Sequence, residues 1–192
     1  MPEILKADEA DHDNPPYYRV GLVGCGAQKR DEACMVREMY TSNYFALKRE
    51  WAENYCYRWL IVSAEYAVVH PEDEIKPYET DLRELSEKTR EMWTDLVTKD
   101  LRFHLSTVGG TPHSHEVVLL MGGTYREHVR EALRRLPYGY EEEDEHADVY
   151  SPFEEVEEAR GGNGSQMGWL KDEVERAENG HVGQTDVEAW SG

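Results

Sequence analysis

Short apolar runs alternate with stretches of helical periodicity through the central part of this chain. Tyr18 to Gly24 (YRVGLVG), Trp59 to Ser63 (WLIVS) and Glu116 to Met121 (EVVLLM) are almost continuously apolar, which is typical of strands buried on both faces. Helical periodicity predicts the remaining elements, at residues 33–40, 42–57, 82–107 and 125–136. The alternation predicts an α/β fold with a mainly parallel or mixed sheet covered by helices.

Small and polar residues follow each of the three predicted strands. In open α/β sheets, ligands bind outside the carboxyl ends of the strands, where the connecting loops meet. We therefore expect three loops to lie together and to form the functional site. They are Cys25–Lys29, Ser63–Tyr66 and Gly122–Tyr125.

Capping residues and prolines indicate how the other segments are organised. Ser42 is the candidate N-cap of the second helix, and residues 64–77 form a long connection without a sustained period. The sequence MGWLKDEV, at residues 167–174, is compatible with a short helix docked on the domain. Apolar residues recur on one side of the second helix, at Phe45, Leu47, Trp51, Ala52 and Tyr55.

Charge divides the 192-residue chain into a near-neutral body and acidic ends. Residues 1–16 hold five acidic and one basic side chain, residues 141–192 hold sixteen and three, and residues 17–140 hold 19 and 17. We predict disordered tails at 1–16 and 179–192, an α/β domain at 17–140, and an acidic loop with a docked segment at 141–178. The net charge of −19 also favours a halophilic archaeal or viral source over a chain that merely has solubilising tails.

The beginning of the chain and its cysteines indicate the compartment. Residues 1–16 are acidic where a signal peptide would be basic, and no apolar run approaches the roughly 20 residues that cross a bilayer. The spacing of Cys25, Cys34 and Cys56 fits neither a CxxC pair nor a disulfide framework. These features predict a cytoplasmic protein with reduced thiols and no membrane partner.

Common cofactor motifs are incomplete in this sequence. Gly24-Cys25-Gly26 follows a strand, but the third glycine of a dinucleotide fingerprint is missing, and no P-loop motif occurs. His113 and His115 lack a third ligand in range, so we expect neither a metal nor another cofactor. Cys25, four residues before Lys29, is either a thiolate nucleophile or a small buried residue. A third hypothesis is that Cys25 is a thiol redox sensor.

A family resemblance rests on the segment after the second strand and on weaker flanking motifs. The flanking matches are Cys25, Lys29, the 39–42 segment MYTS, the 122–125 segment GGTY and the 164–170 segment GSQMGWL. The central matches are Ser63, Tyr66, Pro71, Asp73, Ile75, Pro77 and Tyr78. With these motifs in this order, the chain resembles the YaaA-like family.

The resemblance implies an α/β fold. It implies little about activity, because most such relatives have no assigned reaction. YaaA itself is linked to peroxide stress and to DNA binding through a basic cleft. This chain departs from the pattern at Ala67, where a glycine is expected, and its body lacks a basic stripe. Affinity for duplex phosphates would therefore be weak and would fall with salt.

We accordingly expect a pocket that engages a nucleobase or nucleotide, in nucleic-acid maintenance or modification. Candidate catalytic residues are Cys25, Lys29 and Asp73, with Asp81 as an alternative acid or base. Two alternatives stay open: the tyrosines only pin the long loop, or the protein is a non-catalytic stress-response or accessory protein that binds DNA or a protein partner. Candidate substrate-binding residues are Gln28, Tyr40, Ser42, Ser63, Tyr66, Tyr78, Gly122, Gly123 and Tyr125.

Overall fold

A five-stranded mixed sheet forms the centre of the structure, a computed structural model that describes residues 18–106, 115–136, 154–155 and 163–178. Its strands are β1 Tyr18–Gly24, β3 Arg58–Ser63, β4 Ala67–Val69, β6 His115–Leu120 and β7 Glu154–Glu155. They lie in the order β4-β3-β1-β6-β7. The predicted α/β class and the three predicted strands are confirmed.

The first strand, β1, lies between two parallel neighbours. It pairs with β3 in the register Val20↔Arg58 and with β6 in the register Val20↔Val117. β4 runs antiparallel to β3, and β7 runs parallel to β6. Val20, Leu22 and Val23 are fully buried, as expected for a central parallel strand covered on both faces.

Helices cover both faces of this sheet. The connection from β1 to β3 and the connection from β3 to β6 run in opposite directions along the sheet, so right-handed crossovers place their helices on opposite faces. The helices are α1 Val36–Met39, α2 Asn43–Tyr55, α3 Glu87–Ser106, α4 Gly123–Arg134 and α5 Asn163–Glu178. In accord with the crossovers, α2 packs with α5, and α3 packs with α4.

Two predicted segments differ from the structure. The helix expected at 33–40 is only α1, because Cys34–Met35 forms strand β2, antiparallel to β5 at Glu74–Ile75. The loop expected at 64–77 contains both β4 and β5. Tertiary pairing decides these short elements, which local periodicity does not report.

Side-chain caps set the observed starts of two helices. Ser42 Oγ accepts a hydrogen bond from the Phe45 N–H at 3.2 Å, which confirms the predicted N-cap of α2. Ser86 Oγ accepts from the Thr89 N–H at 3.2 Å, so α3 begins at residue 87 and not at residue 82 as predicted. Leu82 is fully buried in the turn before α3.

The docked carboxyl-terminal helix is confirmed and is longer than expected. Leu170 of α5 is fully buried, and the Trp169 ring lies 5.1 Å from that of Trp51 on α2. The predicted tails at 1–16 and 179–192 lie outside the described residues, as does the acidic run at 141–148. Among the helices of the described part of the chain, none combines the length and the apolar character that crossing a membrane requires.

Candidate functional site at the carboxyl ends of the central strands

Three strand ends converge where the chain changes direction across the sheet. β1 ends at Gly24, and the Cys25 N–H donates to Val62 O of the neighbouring strand at 2.9 Å. On the other side, a Cβ placed on Gly24 would lie 2.7 Å from Met121 Cβ, so only glycine permits this approach to the end of β6. This edge is the switch point at which α/β sheets place their ligand sites.

The Cys25 thiol and the Tyr125 phenol join the β1 end to the β6 end. Cys25 Sγ donates to Tyr125 Oη at 3.2 Å, and both side chains are half-buried. The Tyr125 ring packs edge-on against Trp93 of α3, at a centroid distance of 5.8 Å. Burial, together with the negative charge that Cys25 would carry when ionised, raises the pKa of Tyr125, so this phenol is neutral at physiological pH.

A buried chain of hydroxyl groups occupies the β3 end. Ser63 Oγ donates to Tyr78 Oη at 2.8 Å, and Tyr78 Oη lies 2.9 Å from Tyr40 Oη. Ser63 Oγ also accepts from the backbone N–H groups of Glu65 and Tyr66. Burial raises the pKa of both Tyr40 and Tyr78, so the chain is uncharged and tightly hydrogen-bonded.

Lys29 and Tyr66 cover the Tyr78 ring. Lys29 Nζ lies 4.4 Å from the centroid of that ring, and the Tyr66 ring meets it edge-on at 5.5 Å. The Tyr66 hydroxyl donates to Lys76 O at 3.3 Å. Tyr78 therefore anchors the 76–81 segment to the sheet, while Tyr66 and Lys29 are half-buried at the rim.

The turn after β3 contains Ala67, at the position where the family pattern has glycine. Ala67 has φ of 56°, in the left-handed region that the expected glycine would enter without strain. An alanine there costs roughly 1 kcal/mol. Ser63 Oγ holds the turn at the two preceding backbone N–H groups, which keeps the strained conformation in place.

The Gln28 loop closes onto the segment before α2. The Thr41 N–H donates to Gln28 O at 3.1 Å, and the Gln28 side chain is exposed. A Cβ on Gly26 would lie 3.3 Å from Tyr40 Cβ and 3.5 Å from Ser42 Oγ, so the glycine lets the two segments pack closely. Ser42 is mainly a helix cap, as its hydrogen bond to α2 shows.

The two predicted glycines of the β6 loop stand at the start of α4. Gly122 is the N-cap residue, without a side-chain cap, and its carbonyl accepts from the Arg126 N–H at 3.0 Å. Gly123 is the first helical residue, and a Cβ there would meet no atom within 4 Å. The fold therefore does not require glycine at position 123.

The candidate carboxylates fall in different places. Asp73 Oδ2 accepts from the His70 N–H at 2.9 Å, within the turn that joins β4 to β5, and the structure does not bring it to the thiol. Asp81 is the carboxylate coupled to the site, because its charge acts on Tyr125. Hydrogen bonds from Arg83, with a smaller effect of Lys29, lower the pKa of Asp81.

Sequence reasoning missed Lys48, which lies beneath the Cys25 loop. Its side chain is 2% exposed, and Nζ donates to Gly24 O, the carbonyl just before Cys25. Burial lowers the pKa of Lys48 to about 8. The sequence did contain a sign of this burial. Lys48 is three residues after Phe45 and three before Trp51, which places it on the apolar side of α2.

The site also has a support that reaches α5. The Tyr44 hydroxyl donates to Gln166 Oε1, and Gln166 Nε2 donates to Leu119 O at 3.1 Å. Burial raises the pKa of Tyr44 to about 12. The 164–170 motif seen in the sequence thus holds α5 against β6 and α2.

Within the described ranges, no group of three His, Cys, Asp or Glu side chains is placed to hold a metal ion.

Comparison with known proteins places the chain in a family. Residues 20–172 match the model of a family of unknown function, DUF6884, and the chain belongs to that family. The match includes most of β1, the strand-end site and most of α5. Searches of curated proteins and of solved structures gave no significant match.

Proposed function

We propose that this DUF6884 protein binds a nucleobase or nucleotide at the strand-end site, as a YaaA-like protein in nucleic-acid maintenance or modification. The observation that carries the proposal is the meeting of Cys25, Ser63 and Tyr125 at the carboxyl ends of β1, β3 and β6. Concave sites at this position of an α/β sheet are the usual ligand sites of the fold class.

The chemistry of the rim suits a flat, polar ring. Tyr66 and Tyr125 are half-buried aromatic residues, and base stacking on such rings is worth about 1–3 kcal/mol. Gln28 is exposed on the loop that follows β1, and its side-chain amide offers both a donor and an acceptor for a base edge. The Tyr78 ring, already covered by Lys29, is assigned to anchoring and not to stacking.

Charge favours a small ligand over a nucleic-acid duplex. The net charge of −19 opposes a long phosphate backbone, whose affinity for proteins depends on many Lys and Arg contacts. One nucleobase or nucleotide needs only local contacts. Arg83 supplies positive charge near Tyr125, and Lys29 supplies it near Asp81 and the Tyr78 ring. The acidic ends and the near-neutral body, which has no basic stripe, thus direct the proposal towards single units or unpaired bases.

The site also contains groups suited to covalent or acid–base chemistry. Cys25 is a half-buried thiol in contact with a phenol, and Asp81 is an ionised carboxylate held by Arg83. In the catalytic form of the proposal, Cys25 is the candidate nucleophile, Lys29 is placed to stabilise negative charge on the ligand, and Asp81 is the candidate general base. Asp73 stabilises its turn and has no assigned catalytic part.

A thermal-shift panel tests the proposal. The full chain in molar KCl is heated with free nucleobases, nucleoside monophosphates and single-stranded or duplex oligonucleotides. A ligand at a hundred times its Kd adds about 2.7 kcal/mol, which raises the Tm by several degrees. We expect a base-dependent shift that Tyr66→Ala removes and that Tyr57→Ala, at the amino end of β3, retains.

A panel without any shift would contradict nucleobase binding and would favour the accessory, partner-binding alternative. A shift that survives Tyr66→Ala would place the ligand elsewhere on the chain. Equal shifts with duplex and free base would contradict the preference for unpaired bases.

A further inference from the structure

Lys48 is a charged side chain that the fold buries directly below the strand-end site. Its Nζ lies 4.6 Å from the Tyr44 ring centroid and 5.6 Å from that of Phe45, and it donates to Gly24 O. Burying an ammonium group is costly unless nearby acceptors or charges compensate. The carbonyl and the two aromatic faces supply part of that compensation.

A negative charge on Cys25 would supply a further part. Burial lowers the pKa of Lys48 to about 8, whereas a negative charge on Cys25 acts in the opposite direction and favours the ammonium. Coupling between two sites is reciprocal: if the thiolate stabilises the ammonium, the ammonium stabilises the thiolate by the same free energy. At pH 7 Lys48 is still mainly protonated and can exert this effect.

The backbone limits the distance between the Lys48 ammonium and the Cys25 sulfur. Gly24 O accepts from Lys48 Nζ, and covalent geometry keeps Cys25 Sγ within about 5 Å of that carbonyl oxygen. The Cys25 N–H is held by Val62 O, so the loop cannot easily move away. Lys29 is placed differently: its Nζ lies over the Tyr78 ring and donates to Ala27 O at 3.4 Å.

We propose that Lys48 is a positioning residue that holds Cys25 as a thiolate and thereby makes Cys25 the nucleophile of the strand-end site. The thiol proton leaves to solvent, Lys48 keeps its own proton, and the Tyr125 hydroxyl donates to the thiolate that forms. The inference deepens the proposed function, since it concerns the same site, but it does not depend on which ligand binds there.

Alkylation of the full chain with iodoacetamide tests the pairing. The thiolate sulfur bonds to the methylene carbon, the carbon–iodine bond breaks, and iodide leaves with the electron pair. Mass spectrometry of peptides reads the rate at Cys25 from pH 6 to 10. We expect Lys48→Met to slow Cys25 about tenfold at pH 7 and much less at pH 10, where thiols ionise unaided.

Two variants serve as comparisons. Lys48→Arg keeps the positive charge and should retain a rate within about threefold of the wild type, in line with the coupling expected for nearby charges. Lys99→Met removes an exposed lysine of α3 and should leave the rate unchanged. Three results would overturn the proposal. The first is a wild-type alkylation rate in Lys48→Met at pH 7, and the second is a loss of rate in Lys48→Met that is equal at all pH values. The third is an equal loss of rate in Lys48→Met and Lys48→Arg.

If Lys48→Met fails to fold, the effect of Cys25 on the titration of Lys48 tests the same pairing. In ¹³C-lysine-labelled protein, the Lys48 side-chain signal is titrated in wild type and in Cys25→Ala. The proposal expects Lys48 to lose its proton at lower pH in Cys25→Ala, and identical titrations would overturn it. The two proposals can fail separately. If Cys25 alkylation depends on Lys48 but no nucleobase or nucleotide stabilises the protein, the role of Lys48 is supported and only the proposed ligand class is contradicted.

Discussion

The two sides of the strand-end site are built in opposite ways. At the β3 end, Ser63, Tyr78 and Tyr40 form a buried chain of neutral hydroxyls that satisfies its own hydrogen bonds. At the β1 end, a half-buried thiol at Cys25 lies above the buried ammonium of Lys48. The β3 side therefore supplies mainly stability, and the β1 side carries the groups suited to reaction with a ligand.

Removing the anchor of the β3 side should give the largest effect. Tyr78→Ala deletes a buried ring and both hydroxyl contacts, so we expect a loss of about 3–5 kcal/mol in the free energy of unfolding. Urea denaturation measures this loss. Tyr57→Ala, at an exposed position, is the matched control and should cost less than about 1 kcal/mol. Similar losses in the two variants would contradict the assigned anchoring role.

The charge on the β1 side should appear in the pH dependence of stability. Lys48 has a pKa of about 8 in the folded protein and of about 10.5 when unfolded, so between these values the unfolded chain binds more protons. The wild type should therefore gain on the order of 2 kcal/mol relative to Lys48→Met as pH rises from 8 to 10. Urea denaturation of both proteins across this range measures the gain. Parallel stability curves would show that Lys48 is not buried as described.

A smaller change isolates one hydroxyl of the β3 chain. Tyr40→Phe keeps the ring beside Phe45 and removes the hydroxyl that contacts Tyr78 and Ser63. Because Tyr78 keeps its bond from Ser63, the expected loss is about 1 kcal/mol at neutral pH. Cys25 alkylation should stay at the wild-type rate, and a marked change in that rate would mean that the two sides of the site are coupled.

The smallest expected effect on stability is at Gly123. Gly123→Ala places a methyl group in open space at the first position of α4, so stability should rise by about 0.5 kcal/mol or stay unchanged. Thermal denaturation with and without the ligand found in the panel measures both effects. Loss of ligand stabilisation would show that the glycine serves ligand binding, whereas destabilisation of the free protein would contradict the open environment.

The sequence predicted what depends on local pattern. The apolar runs located β1, β3 and β6, Ser42 marked the start of α2, and the strand-end rule placed the loops of Cys25, Ser63 and Tyr125 together. These features follow from periodicity, capping chemistry and topology, each of which a single sequence displays.

The remaining features depend on distant contacts. Lys48 was missed because a lysine normally turns its charge to solvent, and only the carbonyl of Gly24 and two aromatic rings explain its burial. Asp73 was grouped with the thiol because both belong to the same family motifs, yet its turn directs the carboxylate to His70. Pairing of β2 with β5 likewise brings together residues about forty positions apart.

Protection of Cys25 from iodoacetamide tests the central claim most directly, because it reports ligand binding at the reactive side of the site. Free nucleobases and nucleoside monophosphates are added in turn, and Cys34, a half-buried thiol on β2, serves as the internal control. We predict that at least one compound slows alkylation at Cys25 and leaves Cys34 unchanged. If no compound protects Cys25, or if both thiols slow equally, the strand-end site does not bind this class of ligand.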